Sequence, residues 1–208
     1  MGTDYYPRLT AVAHDDKLMC EAVNTQTEIA LLLAVPGLAA TIIFAPLVIT
    51  IFYSGKFDAA ADILRWSVYG VFGRVVSWPL GFIMLAKGMG KIFFCTETFA
   101  NAFYVAAIWL CTKLWGLPGT GIAFLMMYIA YTIVVYVVGY ATIRTTWNSA
   151  NRVHIIGFSL FLAIVGLVSA LVKNPWFSYS INLILLVTSL LYCFIKLSRK
   201  AGVKLLSL

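Results

Sequence analysis

The stretch "IALLLAVPGLAATIIFAPLVITI", Ile29 to Ile51, runs for 23 residues without a charge. As a helix it rises about 35 Å at 1.5 Å per residue, enough to cross a hydrocarbon core about 30 Å thick. Five more segments of the same character follow: Trp66 to Ala86, Ile92 to Leu114, Gly119 to Ile143, Val153 to Val172 and Tyr179 to Ile195. Around them the composition agrees. Of 208 residues 62% are hydrophobic and 11% charged, and the mean hydropathy is +0.93, whereas a soluble domain carries about 25% charged residues. Backbone groups in lipid must be satisfied within their own segment, so the expected fold is all-α, a polytopic bundle of about six transmembrane helices. The period-two alternation of a barrel strand is missing from the sequence.

Residues 1–28 carry Asp4, Arg8, Asp15, Asp16, Lys17, Glu21 and Glu28 and no apolar run. They read as a cytoplasmic amphipathic segment and not as a signal peptide. The start "MGTDYY" lacks the Ser or Thr that a myristoylation signal has at position 6. The bundle then occupies 29–198, and 199–208 form a basic tail. With loops assigned alternately to two sides, one side receives Arg8, Lys17, Lys87, Lys91, Arg144, Arg152, Lys196, Arg199, Lys200 and Lys204. The other receives Lys56, Arg65, Lys113 and Lys173, with Arg74 set aside inside a span. The positive-inside rule therefore predicts both termini in the cytoplasm. The net charge of +7 is accounted for by this asymmetry; the basic residues are scattered over short loops, which argues against a nucleic-acid partner.

Several short motifs dissolve on inspection. "LPGTG", Leu117 to Gly121, fits the sortase pattern, yet two more spans follow the apolar run behind it; it reads as a tight turn between the third and fourth spans. "GMGK", Gly88 to Lys91, lacks the upstream glycine of a phosphate loop and has Ile92 where Ser or Thr is required. "GFS", Gly157 to Ser159, is too short for a serine-hydrolase signature, and the histidines are only His14 and His154. The cysteines Cys20, Cys95, Cys111 and Cys193 have no metal-ligand spacing and read as small apolar residues. No catalytic set, metal site or cofactor is expected, and the chain is not read as an enzyme.

Ionisable residues inside spans cost about 2.5–3.5 kcal/mol each on insertion scales, so they mark pathways or binding sites by default. Arg74 and Glu97 are the two candidates. From Arg74, helical steps reach Ser67, Gly70, Ser77, Trp78 and Gly81, a small and polar stripe, while Val68, Phe72, Val75, Pro79 and Ile83 occupy the opposite face. Arg74 is thus expected on a helix-packing or cavity face, close to the midplane. Two roles stand for it: a site for an anionic group, phosphate above all, or an ion pair or carbonyl clamp within the bundle. Glu97, Asn101 and Tyr104 repeat at i, i+4 and i+7 on the third span, where a proton or sodium site competes with a partly solvated interfacial carboxylate. The fourth span carries Tyr128, Tyr131, Thr132, Tyr136 and Tyr140; Tyr128 and Thr132 are candidates for a sugar-binding lumen, and helix packing is the other reading. Pro36 and Pro46 are hinge candidates in the first span.

The order of "YYPRLT", Tyr5 to Thr10, then a charged stretch to Glu28, then "LLLAVPGLAATIIFAPLVITIFYSGKF", Leu31 to Phe57, resembles the later part of bacterial polysaccharide flippases. Wzx-type O-antigen translocases of the multidrug, oligosaccharidyl-lipid and polysaccharide exporter superfamily look closest. Pro7, Arg8 and Leu9 resemble the apolar-Pro-x-Leu signature that ends a span in that family; Pro36 matches its Pro-bearing span; Gly55, Lys56 and Phe57 match its Gly-x-Phe turn. "GLPGTGIAF", Gly116 to Phe124, is similar to the Gly-x-x-Gly-x-Ala turn that opens a later span. The resemblance implies a multi-pass protein of the bacterial inner membrane that moves undecaprenyl-diphosphate-linked oligosaccharide for lipopolysaccharide or surface-polysaccharide synthesis. Such flippases have roughly twice as many spans, in two lobes around a cavity. It therefore also implies that this chain is the C-terminal part, with an N-terminal lobe, membrane lipids and a polysaccharide polymerase as partners. Two rivals are a multidrug or cation antiporter of the same superfamily and a non-transporting membrane fragment or subunit.

Overall fold

The computed structural model describes residues 2–52, 58–172 and 174–205. Among them the chain forms seven helices: α1 (Gly2–Ala11), α2 (Asp16–Phe52), α3 (Asp58–Ala86), α4 (Gly90–Trp115), α5 (Gly119–Ile143), α6 (Ser149–Leu171) and α7 (Pro175–Leu205). All but α1 are long and apolar enough to cross a membrane. The protein is a multi-pass, all-α membrane bundle.

The ends of these helices follow local chemistry. Asp15 caps α2, its Oδ1 accepting from the backbone N–H of Lys17 at 2.8 Å and of Leu18 at 3.1 Å. Those two amides, Leu18 first, hold its carboxyl below the usual carboxylate range. Asn148 caps α6 by accepting from Asn151 N at 2.7 Å. Of "GMGK", Gly88, at φ +71°, and Met89 lie in the turn, while Gly90 and Lys91 open α4. In "LPGTG" the glycine that supplies the left-handed dihedral is Gly116, at φ +66°, just before the motif. Gly119 and Gly121 lie inside α5 and serve close approach instead. A Cβ on Gly119 would stand 2.2 Å from the Cys111 carbonyl oxygen, and one on Gly121 2.6 Å from that of Ile63.

The stretch 1–28, expected as a separate segment, is divided between α1 and the first turns of α2, which continue unbroken into the first span. Pro36 and Pro46 lie within α2 and do not end it. The basic tail from Arg199 to Leu205 likewise continues α7. Gly55, Lys56 and Phe57, with Lys173, lie outside the described residues.

Across the bundle the helices run in the order α4, α5, α3, α2, with α6 and α7 both packed on α2. α2 and α3 form the centre: 50% and 56% of their most apolar windows are buried, against 17–22% in the other four spans. This corrects the assignment of α3's faces. Val68, Phe72, Pro79 and Ile83, expected to face lipid, are buried. Val68 and Phe72 join Leu31, Val35 and Leu162 in one core, and Ile83 joins Tyr5, Leu9, Met19 and Val135 in a second. α1 completes that second core, Tyr5 donating its hydroxyl to the Pro79 carbonyl at 3.1 Å.

One end of the bundle is tied by polar contacts. Lys87 reaches the Ala13 carbonyl and the Asp16 carboxylate, both at 2.7 Å. Lys200 of α7 pairs with Glu28 of α2. Asn24 donates to the Thr146 carbonyl at 3.0 Å, and its Oδ1 accepts from Asn148 N and from Asn151 Nδ2, each at 2.9 Å. These ties gather at one end the loops to which the sequence assigned most of its positive charge. His154 lies nearby, buried and stacked on Phe158, its Nε2 3.1 Å from the Tyr192 hydroxyl. Cys111 and Cys193 are buried free thiols, as small apolar residues would be.

Candidate functional site

α3 and α4 are joined by the short turn at 87–89 and touch each other little; both lean instead on α5. The small residues of α3 make this possible. Gly70 packs under the Phe124 ring of α5 and Gly73 under the Tyr128 side chain, so close that a Cβ would fall 2.4 and 3.0 Å from them. The splay between α3 and α4 leaves a cleft of about 260 Å³ with α5 as its floor.

Arg74, Ser77 and Trp78 line the α3 wall, Glu97 and Asn101 the α4 wall, and Tyr128 and Tyr131 the floor. Arg74 stands 12 residues from the Ala86 end of a span that begins at Ala60, about 18 Å along the axis and close to the middle. Glu97 is seven residues from the start of α4, about 10 Å from the same end. The two charges are therefore staggered along the cleft, Glu97 nearer the basic end. They form no ion pair: the ion pairs among the described residues are Arg65–Asp62, Lys87–Asp16 and Lys200–Glu28. Glu97 accepts instead from the Tyr131 hydroxyl at 2.5 Å, a charge-assisted bond that fixes one carboxylate oxygen against the floor.

The Arg74 guanidinium has no side-chain hydrogen bond among the described residues, and the residue is exposed. It also borders a second hollow of about 370 Å³, formed with Ala30, Leu33, Ala34, Val75 and Trp78 on the α2 side. It thus lines both hollows. Asn101 spends one amide proton on the Glu97 carbonyl at 2.8 Å. A cation at mid-depth, a carboxylate and two phenols on one concave face can receive an anionic group together with neutral hydroxyls.

Of the residues singled out from the sequence, Arg74, Glu97, Asn101 and Tyr128 share this cleft. Two do not belong to it. Tyr104 packs edge-on against Phe124, 5.9 Å between centroids. Thr132 bonds the Tyr128 and Gly73 carbonyls at 2.6 and 3.4 Å and faces a different cavity, between α3, α5 and α6. Tyr131 was missed as a site residue, although it stands at i+3 from Tyr128. Pro36 and Pro46 line neither hollow. Among the described residues no group of three His, Cys, Asp or Glu side chains comes together as metal ligands.

Compared with protein-family models, with curated proteins and with solved structures, the chain finds no match in any of the three.

Proposed function

We propose that this chain is one lobe of a membrane transporter that carries an anionic, lipid-linked oligosaccharide across the bacterial inner membrane. The cargo class is an undecaprenyl-diphosphate-linked repeat unit for lipopolysaccharide or another surface polysaccharide. The observation that carries the reading is Arg74: a guanidinium at mid-span, on a concave face, with no side-chain hydrogen bond or ion pair among the described residues. Holding an unpaired cation there costs the fold free energy, and a diphosphate offset by hydroxyl-bearing sugars is a cargo that would return it. The sequence resemblance to O-antigen translocases supports the same reading. The ten-to-four distribution of basic residues supports a cytoplasmic position for the tied end.

In this reading Arg74 meets the diphosphate, while Tyr128, Tyr131 and Asn101 offer aromatic faces and hydrogen bonds to the glycan. Glu97 contributes charge balance or a coupling cation. The cleft is open on the side away from α5, and a second lobe closes it into a lumen that alternates between the two leaflets. The chain performs no bond chemistry of its own.

The test is Arg74→Ala and Arg74→Lys in cells that depend on this protein for their polysaccharide. Surface polysaccharide should vanish with alanine and return in part with lysine, at unchanged membrane abundance. Loss of abundance in both variants would assign Arg74 to the framework and favour a non-transporting subunit. The Glu97–Tyr131 bond favours a second reading, a cation-coupled exporter of small cationic solutes. That reading requires Glu97→Gln to abolish export while Arg74→Ala spares it.

A further inference from the structure

A cavity of about 820 Å³, larger than the cleft at Arg74, lies between α3, α5 and α6. Its walls are almost entirely apolar. It runs from Trp147, near the tied end, to Asp62, Arg65 and Trp66 at the opposite end. One side chain crosses it: the Tyr69 hydroxyl donates to the Leu162 carbonyl at 3.3 Å and rests where a Cβ on Gly166 would be.

Its far end is charged. Arg65 Nη1 pairs with Asp62 Oδ1 one turn earlier, at 3.3 Å, with the carboxylate side chain half exposed. The Arg65 Nε is buried and has no partner among the described residues. Nine residues separate Arg65 from mid-span Arg74, about 14 Å of helix. That sets the Asp62–Arg65 pair at the edge of a hydrocarbon half-layer about 15 Å deep, the level at which Trp66 belongs as an interfacial aromatic.

An apolar trough below, a cation and an anion at its rim: these match the parts of one amphiphile. We propose that the α3/α5/α6 cleft binds a phosphatidylethanolamine from the leaflet opposite the tied end, independently of any transported cargo. One acyl chain lies in the trough along Ala163. The phosphate takes the Arg65 guanidinium, whose side chain turns to bring the covered Nε into reach and gives up part of the Asp62 contact, and the lipid ammonium takes the released Asp62 carboxylate. The two protein charges are three residues apart, about 4.5 Å of rise, which suits a phosphate and an amine joined by two carbons. Phosphatidylglycerol offers no cation to Asp62, and phosphatidylcholine has no N–H to donate.

The experiment is native mass spectrometry of the purified chain given equal phosphatidylethanolamine, phosphatidylglycerol and phosphatidylcholine. One phosphatidylethanolamine should be retained, about fivefold above either competitor, as expected for one partly exposed charge-assisted bond. Asp62→Asn should erase the preference over phosphatidylglycerol, whereas Arg65→Gln should weaken retention of both. Ala163→Phe fills the trough and should expel the lipid; Ser159→Leu does so lower in the same cleft if the first variant loses its helical circular dichroism. Equal retention of the three lipids by the wild type overturns the proposal, as does phosphatidylethanolamine retention that Arg65→Gln leaves unchanged.

Discussion

Replacing Asn24 by alanine removes the centre of the knot that ties α2 to the α5–α6 connection. Three tertiary hydrogen bonds depend on this one side chain: donation to the Thr146 carbonyl at 3.0 Å, and acceptance from Asn148 N and Asn151 Nδ2 at 2.9 Å each. A bond of this kind contributes about 1 kcal/mol net. The Asn151 side chain, which is fully buried, keeps only the Asn24 backbone carbonyl at 2.8 Å. Water reaches the exposed Thr146 and Asn148, so the loss should be about 2–3 kcal/mol rather than more. For a chain of this size that lowers Tm by roughly 4–12 °C, readable by thermal unfolding of the detergent-solubilised protein. Asn24→Asp separates the terms. It keeps both accepting interactions but turns a carboxylate toward the Thr146 and Cys20 carbonyls, so at neutral pH it should destabilise at least as much as alanine. In acid, where the carboxyl regains a proton to donate, it should recover. A Tm within about 1 °C of wild type for Asn24→Ala would refute the idea that the knot holds this end together.

Gly121→Ala should destabilise sharply, by about 2 kcal/mol or more, because the added Cβ meets the Ile63 carbonyl at 2.6 Å; Gly37→Ala, with nothing within 4 Å, should not, and the two can be compared in one unfolding series. Asp15 titrates low in the folded chain, so its cap stabilises fully above the ordinary carboxyl value of 3.8 and is lost as pH falls through the lower folded value. The Tm difference between wild type and Asp15→Ala should shrink below about pH 4, while Asp15→Asn should show no such dependence. Tyr131→Phe frees the Glu97 carboxylate and should impair transport at unchanged abundance; full transport would detach Glu97's orientation from function.

Six spans were legible because hydrophobic length is a property of each segment by itself. The turns at Gly88 and at Gly116 were legible for the same reason. What a segment touches was not. The faces of α3 were read as one lipid side and one packed side, but α3 is central, and α2 and α5 bury both. Four of the six candidate site residues fell into one cleft because i, i+4 spacing keeps Glu97 with Asn101, and helix depth places Arg74 beside them. On α5 the spacing misled. From Tyr128, a step of four turns the side chain about 40° one way and a step of three about 60° the other. α5 lies between two cavities, so Thr132 went to one and Tyr131 to the other. The knot of Asn24, Asn148 and Asn151 had no signature at all, since its partners are 122–127 residues apart.

The 37-residue α2 is about 56 Å long, nearly twice the thickness of the hydrocarbon it crosses. Its surplus lies at the tied end, where Met19 and Val23 are buried against α1, α3 and α5. Asp16 stands 20 residues from Pro36, about 30 Å of rod, so a bend of 10° at that proline sweeps the tip through about 5 Å. The tip is not free: through the Asp16–Lys87 pair it grips the turn between α3 and α4, the two walls of the Arg74 cleft. A flexure of α2 at Pro36 would therefore pull, through the Asp16–Lys87 pair, on the turn that joins those walls.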